Sequence, residues 1–281
     1  MFYRNAASLP MNIAHRGARS HAPENTIAAA KKAAEYGAAG WEADVWLTKD
    51  GVPVITHDED IRRTSDAEAF FPSRASYLIN DFTFAEIKSL DFGSWFMDKD
   101  PFGEIAAGRV AEADLKSYEN ERIPTLEEAL DYTRDNGLVM NVEIKDAGDG
   151  QRGRETVRKT IDVIIEMGMA GDVIVSSFNW AYLKWIREIS ERIMTGALTS
   201  EAEKDHPEIV RALGAYAYHP KIGAFSVDIL RRMTDAGIHV NVWTVNDQSA
   251  LSYLKTKDGF MGLGGVITDY PQRFADIVTC A

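Results

Sequence analysis

Residues 138–178, LVMNVEIKDAGDGQRGRETVRKTIDVIIEMGMAGDVIVSSF, change hydrophobic period twice. LVMNVEIK (138–145) and DVIVSSF (172–178) are short, apolar and rich in β-branched residues, the pattern of strands buried on both faces. Between them 151–168 is amphipathic, with Val157, Ile161 and Ile164 at i, i+4 and i+7, and it stops at Gly168, a residue suited to the left-handed turn that ends a helix. Strand, helix, strand is a parallel crossover, because neighbouring parallel strands need a long connection.

The same alternation runs outward in both directions. Strand candidates precede this unit at 11–15 (MNIAH) and 40–46 (GWEADVW) and follow it at 192–198 (RIMTGAL), 214–219 (GAYAYH), 238–246 (IHVNVWTVN) and 264–269 (GGVITD), eight in all. Further amphipathic segments lie near 24–37, 125–136, 179–190, 206–213, 226–236, 247–256 and 271–278. Thr125 and Glu128 form a Thr-x-x-Glu capping box, Pro271 suits a first helical turn, and Gly37 and Gly137 suit helix stops. Eight strand-then-helix units point to an α/β fold of the (β/α)8 TIM-barrel type, with a doubly wound open sheet as the alternative. A chain of 281 residues suits one such domain, spanning 1–281.

One interval breaks the rhythm. LTKDGVPVITHDE (47–59) holds two β-prone runs about Asp50-Gly51, a hairpin signal. From about 59 to 121 no clean strand–helix unit occurs, yet Phe70, Phe71, Trp95, Phe96 and Phe102 do. An inserted lobe after the second strand is expected, since ~60 irregular residues are seldom mere loop. Its place in the chain suggests a lid or specificity lobe over the barrel mouth.

The 31 basic and 43 acidic residues leave a charge of −12, which repels phosphate backbones and anionic membrane surfaces. Nucleic acid is therefore excluded as a partner class, and stable membrane insertion is not expected. Cys280 is the sole cysteine, so neither an intrachain disulfide nor a cysteine metal cluster can form. The opening MFYRNAASLPMN lacks the apolar core of a signal peptide, and no stretch reaches the ~18 apolar residues of a spanning helix. The expectation is a cytoplasmic protein acting on a small molecule, with a homo-oligomer left open.

Polar residues collect at the strand ends, where a purely apolar barrel interior would not place them. His15, Arg16 and Gly17 close the first strand, Glu42 and Asp44 lie in the second, His57 and Asp58 follow the hairpin, and Glu143 and Lys145 close the third. Residues two apart on a strand share a face, so Glu42 sides with Asp44 and Glu143 with Lys145. Converging carboxylates raise one another's pKa unless a cation intervenes, and an all-oxygen donor set suits Mg2+ or Ca2+. Two histidines beside such a site fit general base and general acid, and Arg16 and Lys145 fit an anion. The joint placement carries this reading, because a lone Glu-x-Asp is commonplace, Glu143 with Lys145 also reads as a rim ion pair, and Asp58 as a turn cap.

Taken in order, IAHRG (13–17), PENT (23–26), WEADVWLTKDGVPVITHD (41–58), IPTLEEAL (123–130), NVEIK (141–145), VSSFN (175–179), VNVWTVN (240–246) and GVITDYP (265–271) resemble the blocks of the glycerophosphodiester phosphodiesterase family. The resemblance implies a (β/α)8 barrel with an insertion after the second strand, and metal-dependent hydrolysis of glycerophosphodiesters to sn-glycerol 3-phosphate and an alcohol. It implies Glu42, Asp44 and Glu143 as metal ligands, His15 and His57 as the acid–base pair, and Arg16 and Lys145 as phosphate contacts. It further implies a cyclic phosphate formed by the substrate's own 2-hydroxyl.

Trp243 and Phe178 are expected as walls of the substrate pocket, each with plain packing as the other reading. Asn25 is expected to buttress the first loop beside Thr26, where a helix cap falls, and Gly17 to permit close backbone approach. FGEIAAGRVAEADLKSYENE (102–121) departs from the family pattern by lengthening the lobe, which leaves substrate preference open. His219, where relatives often carry Asn before Pro, is expected in a loop, and His21, His206 and His239 in structural or surface roles. A lysophospholipase D-type activity and a phosphate-binding barrel without turnover stand as rivals; the former needs an apolar channel, for which the aromatics at 70–71 and 95–102 are the candidates.

Overall fold

The computed structural model describes residues 2–3, 10–202, 207–254 and 262–278. Its strands are β1 (Met11–His15), β2 (Gly40–Leu47), β3 (Pro53–Ile55), β4 (Val139–Ile144), β5 (Val173–Ser177), β6 (Met194–Thr199), β7 (Ala217–Pro220), β8 (His239–Val242) and β9 (Leu263–Thr268). From β1 the parallel neighbours run β9, β8, β7, β6, β5, β4 and β2, and β2 pairs back onto β1. That last pairing, with Ile13 opposite Gly40 and His15 opposite Glu42, closes an eight-stranded barrel and decides against the open sheet. β3 alone is antiparallel, laid on β2 with Val45 opposite Ile55 as the hairpin signal at Asp50-Gly51 predicts.

The helices are α1 (Ile27–Glu35), then four short ones between β3 and the resumption of the barrel, α2 (Ala67–Phe70), α3 (Phe84–Ile87), α4 (Ser94–Lys99) and α5 (Glu112–Tyr118), and then α6 (Leu126–Asp135), α7 (Gln151–Glu166), α8 (Trp180–Ile189), α9 (Pro207–Ala212), α10 (Val227–Asp235), α11 (Gln248–Leu254) and α12 (Pro271–Val278). Thr26 caps α1 by accepting from the Ala29 amide, and Thr125 with Glu128 closes the capping box on α6. An N-cap of this kind is worth about 1 kcal/mol, so these side chains set where each helix starts. Outward strand faces and inward helix faces share one apolar layer that includes Trp41, Val142, Ile161, Leu183 and Met233. Inside the barrel, Ile13, Val139, Ile174, Ala217 and Ile267 fill the lower level over Phe2. Fully burying each of these isoleucine and valine side chains contributes roughly 1.5–3 kcal/mol, and the site cavity opens above this level, at the carboxyl ends of the strands.

The lobe is bound to the barrel at two places. Ile61, Ile79, Phe82, Ile87 and Phe92 pack on Trp46 and Val54 of the hairpin, while Phe96, Val110 and Tyr118 pack on Ala22 and Ala29. Segment 104–118 is held polar-side as well, Tyr118 Oη donating to the His21 carbonyl at 3.0 Å and Lys32 Nζ to Asp114 at 2.8 Å. It braces α1 and the loop before it, so this part of the lobe packs on the barrel wall.

Other expectations shift locally. The run 214–219 becomes strand only from Ala217, because Gly214 turns with φ 65°. His219 is not a loop residue: it lies in β7, wholly buried, with its ring over Gly196, where a Cβ would come within 2.6 Å of the imidazole. His21 is buried and His239 stacks on Tyr3 at 4.1 Å between centroids, so both are structural. His206 and Cys280 lie outside the described residues. Among the described residues no helix is long and apolar enough to cross a membrane.

Candidate active site

β1 ends at His15, and the chain reverses at once through Arg16 (φ 54°) and Gly17 (φ 78°). A Cβ on Gly17 would lie 2.5 Å from the Cβ of Ala29, so only glycine lets this turn rest on α1. The reversal aims the Arg16 amide at Glu42 Oε2, 2.9 Å away. On β2, Glu42 and Asp44 share the inward face, and the β2–β4 register sets Asp44 opposite Glu143. One oxygen from each of the three carboxylates lies within 4.8 Å of the others.

Cations hold this group from two sides. Lys145 Nζ is 2.7 Å from Glu143 Oε1 and 3.3 Å from Asp44 Oδ1, and Arg16 Nε is 3.3 Å from Asp44 Oδ2. Asn25 braces Asp44, donating from Nδ2 to Oδ2 at 2.8 Å and accepting from the Asp44 amide at 3.2 Å. Its buttress therefore serves the carboxylate site, while Thr26 alone caps the helix. Burial opposes a charge on Asp44, but Lys145 and Arg16 outweigh it and hold the carboxyl far below the usual range. Glu42 is pushed well above that range by burial and by Asp44 and Glu143, and burial raises Glu143 against the pull of Lys145. Glu42 Oε1 is buried without a hydrogen-bond partner among the described residues. Three clustered carboxylates and an orphaned oxygen are the donor set a hard divalent cation takes.

Each histidine has its own carboxylate. His15 Nδ1 is 2.6 Å from Asp269 Oδ1, leaving Nε2 on the side of Glu42, 3.8 Å away. Asn246 Nδ2 donates to the other Asp269 oxygen at 2.6 Å. Burial presses the His15 pKa below its ordinary value although Asp269 pulls upward, while burial of Asp269 is overcome by His15 and Arg19, which bring that carboxyl to about 2. His57 Nδ1 is likewise 2.6 Å from Asp58 Oδ1, but this pair is more open, its side chains about 30% exposed. Asp58 thus orients an imidazole in addition to ending a turn.

These groups open onto a cavity of about 400 Å³ lined by His15, Arg16, Glu42, His57, Glu143 and Lys145, with Phe178, Leu198, Trp243 and Ile267 as its apolar wall. Phe178 and Trp243 meet edge to face at 5.5 Å, and Trp243 Nε1 donates to the His219 carbonyl at 2.9 Å. Asp44 sits beneath this lining, bonded to Lys145.

A model of the glycerophosphoryl diester phosphodiesterase family matches residues 15–273. The chain belongs to that family. A glycerophosphodiester phosphodiesterase from Caldanaerobacter subterraneus subsp. tengcongensis is 34% identical over 266 residues, covering 95% of this chain and 96% of the relative. The structure of an Oleispira antarctica phosphodiesterase in complex with the product sn-glycerol-3-phosphate superposes with TM-score 0.77 at 30% identity, covering 96% of this chain and 97% of that one. A glycerophosphodiester phosphodiesterase from Thermotoga maritima does so with TM-score 0.65 at 27% identity, covering 95% and 98%.

Four residues of this phosphodiesterase site escaped the sequence reading. Asp269 ends the β9 block GVITDYP, so its place at a barrel-strand end was a usable signal. Glu24, inside PENT, is buried against three arginines. Asn141 and Lys221 line the cavity, each on a strand or just past its end, and neither stands out by residue type.

Proposed function

We propose that this cavity hydrolyses glycerophosphodiesters to sn-glycerol 3-phosphate and an alcohol, with Mg2+ or Ca2+ held by Glu42, Asp44 and Glu143. The observation that carries the reading is the convergence of three buried carboxylates and two His–Asp pairs on one cavity. The bound product in the Oleispira antarctica relative supports the substrate class. When bound, the cation would neutralise a non-bridging phosphate oxygen and orient the attacking hydroxyl.

His15, kept neutral by burial, accepts the proton of the substrate's glycerol 2-hydroxyl at Nε2, while Asp269 fixes the proton on Nδ1. The 2-oxygen attacks phosphorus, the bond from phosphorus to the alcohol oxygen breaks, and protonated His57 gives that oxygen its proton. Water then opens the cyclic phosphate, with His57 taking a proton from the water and His15 returning one to the 2-oxygen. His57 is assigned to the alcohol because its partner Asp58 also lines a neighbouring open groove of about 680 Å³, where a departing group has room. Arg16 and Lys145 bind the phosphate, and Phe178 and Trp243 wall the glycerol.

That groove is lined by Asp58, Asp60, Arg62, Arg63, Glu68, Trp95, Lys99 and Pro101, whose charged ends can hydrogen-bond a water-soluble alcohol. Of the aromatics a lysolipid would need, Phe71 packs against Phe82, Phe96 against Tyr118 and Phe102 against Tyr270, while Trp95 lines the groove and Phe70 is exposed. The lobe and barrel are read as one domain, since each apolar cluster of the lobe includes barrel residues.

Glycerophosphocholine and the 4-nitrophenyl ester of glycerol phosphate together test the assignment. An alkoxide leaves poorly and a nitrophenolate leaves unaided, so His57→Ala loses ~10²–10⁴-fold on the first and far less on the second, whereas His15→Ala loses on both. Equal losses on both substrates for both variants overturn the divided roles, and an absence of alcohol release by the unaltered protein overturns the function.

A further inference from the structure

The two histidine–carboxylate pairs differ in how they are anchored. His15 and Asp269 are enclosed by the barrel, whereas His57 and Asp58 stand about 30% exposed on a loop and need another source of rigidity. One is present. Arg63 donates from Nε to Asp58 Oδ2 and from NH2 to Glu24 Oε1, the latter at 2.6 Å, so a single guanidinium joins the two carboxylates. Glu24 is itself 5% exposed, and Arg16 NH1 at 3.0 Å and Arg19 NH2 at 2.8 Å complete its surroundings. Burial opposes the charge on Glu24, but the arginines overcome it and bring the carboxyl to about 2.

A buried ion cluster of this kind is a poor stability device, because desolvating the charges costs about as much as their attraction returns. Geometry is what it supplies. Glu24 follows the reversal at Arg16–Gly17 and sits on the frame of the barrel, while Arg63 belongs to the first turn of the lobe, Ile61–Arg63. The relay Glu24–Arg63–Asp58–His57 therefore ties the exposed imidazole to the buried frame, with the Arg63 guanidinium 5.9 Å from the Trp95 ring centroid.

We propose that Glu24 is a positioning residue for His57, acting through Arg63 and Asp58. The assignment rests on His57 serving as proton donor to the leaving alcohol. Glu24→Gln keeps the shape but removes the charge that grips Arg63, leaving Asp58 free to swing and the imidazole free to turn. Misplacement of a catalytic group by about 1 Å costs roughly 10²-fold.

The test measures Glu24→Gln, Arg63→Gln and His57→Ala on glycerophosphocholine and on the 4-nitrophenyl ester, with proton NMR of the His57 Nδ1–H resonance, identified by its loss in His57→Ala. The expected result for both Gln variants is a fall in kcat of roughly 10–100-fold on glycerophosphocholine, a much smaller fall in kcat on the nitrophenyl ester, and a displaced or broadened resonance. The double variant should be no worse than either single one, because both break the same relay. A Glu24→Gln protein that loses thermal stability but keeps its resonance and its kcat overturns the proposal, as does an equal loss on the two substrates. Should Glu24→Gln fail to fold, Arg63→Gln decides, since that side chain is 43% exposed and its replacement spares the core; full activity there overturns the relay. Full activity of His57→Ala on glycerophosphocholine would instead defeat the underlying assignment of His57, and loss there with intact Gln variants defeats the relay alone.

Discussion

Asp269→Asn is the perturbation whose size the structure sets most closely. The Asp269 carboxyl lies at about 2 against an ordinary 3.8, with its Oδ1 2.6 Å from His15 Nδ1. That depression corresponds to roughly 2–3 kcal/mol in favour of the carboxylate beside His15, Arg19 and Asn246, after the opposing cost of burial. An imidazolium forming on His15 as it accepts the substrate proton draws on the same pairing, so losing the charge costs about 2 kcal/mol, or ~30-fold in rate. The amide also permits the wrong tautomer, with the Nδ1 nitrogen accepting and Nε2 carrying the proton, and this can raise the loss toward ~10⁴-fold. Initial rates on glycerophosphocholine and on the nitrophenyl ester, each at saturating Mg2+, give kcat/KM for both. The two should fall in parallel, because the base acts before the leaving bond breaks. A loss under ~3-fold, or one confined to glycerophosphocholine, refutes the assignment of His15 as base.

Asn25→Leu removes both hydrogen bonds that brace Asp44, and Mn2+ binding followed by electron paramagnetic resonance should weaken about 10–100-fold; unchanged affinity would make Asn25 a mere loop brace. Replacing 104–120 by a short linker removes Tyr118 from its contact with Phe96 and Asp114 from Lys32. Thermal melting should fall by several degrees while the ranking of alcohols stays as it was, since no residue of 104–120 lines the cavity or the groove; a reordered ranking would make this segment a specificity element. Glu24, depressed from 4.5 to about 2, is favoured in its charged over its protonated form in the fold by roughly 3 kcal/mol, a pH-linked difference fully present above pH 4.5 and lost as pH falls toward 2. Urea midpoints at about pH 6 and about pH 3.5 should therefore differ less in Glu24→Gln than in the unaltered protein, and identical pH dependence would contradict that contribution.

Strands and helices were legible because their periods are local. Their count of eight pointed to a closed barrel, and the pairing of β1 with β2 decides it over the open sheet, which the periods left as the alternative because closure depends on strand tilt and stagger summed around all eight strands. Glu42, Asp44, Glu143 and Lys145 were readable in pairs because residues two apart on a strand must share a face. Asp269 stood outside the reading because its partner His15 is 254 residues away and no spacing rule links the two. The same holds for Glu24, whose arginines come from the first loop and from the lobe. His219 looked like a loop residue beside Pro220, and only the absence of a side chain at Gly196, one strand over, makes room for its ring inside the barrel. The lobe could be seen as an interruption, but its attachment to α1 depends on long-range contacts such as Lys32 with Asp114.

Metal-dependent hydrolysis at Glu42, Asp44 and Glu143 is tested most directly by titrating chelator-treated protein with Mg2+ and with Ca2+ while following sn-glycerol 3-phosphate released from glycerophosphocholine, beside an Asp44→Ala protein of intact fold. The account predicts no release before the ion is added, recovery with one or both cations in the unaltered protein, and no recovery in Asp44→Ala. Full turnover in the presence of chelator, or an Asp44→Ala protein as active as the unaltered one, would contradict it.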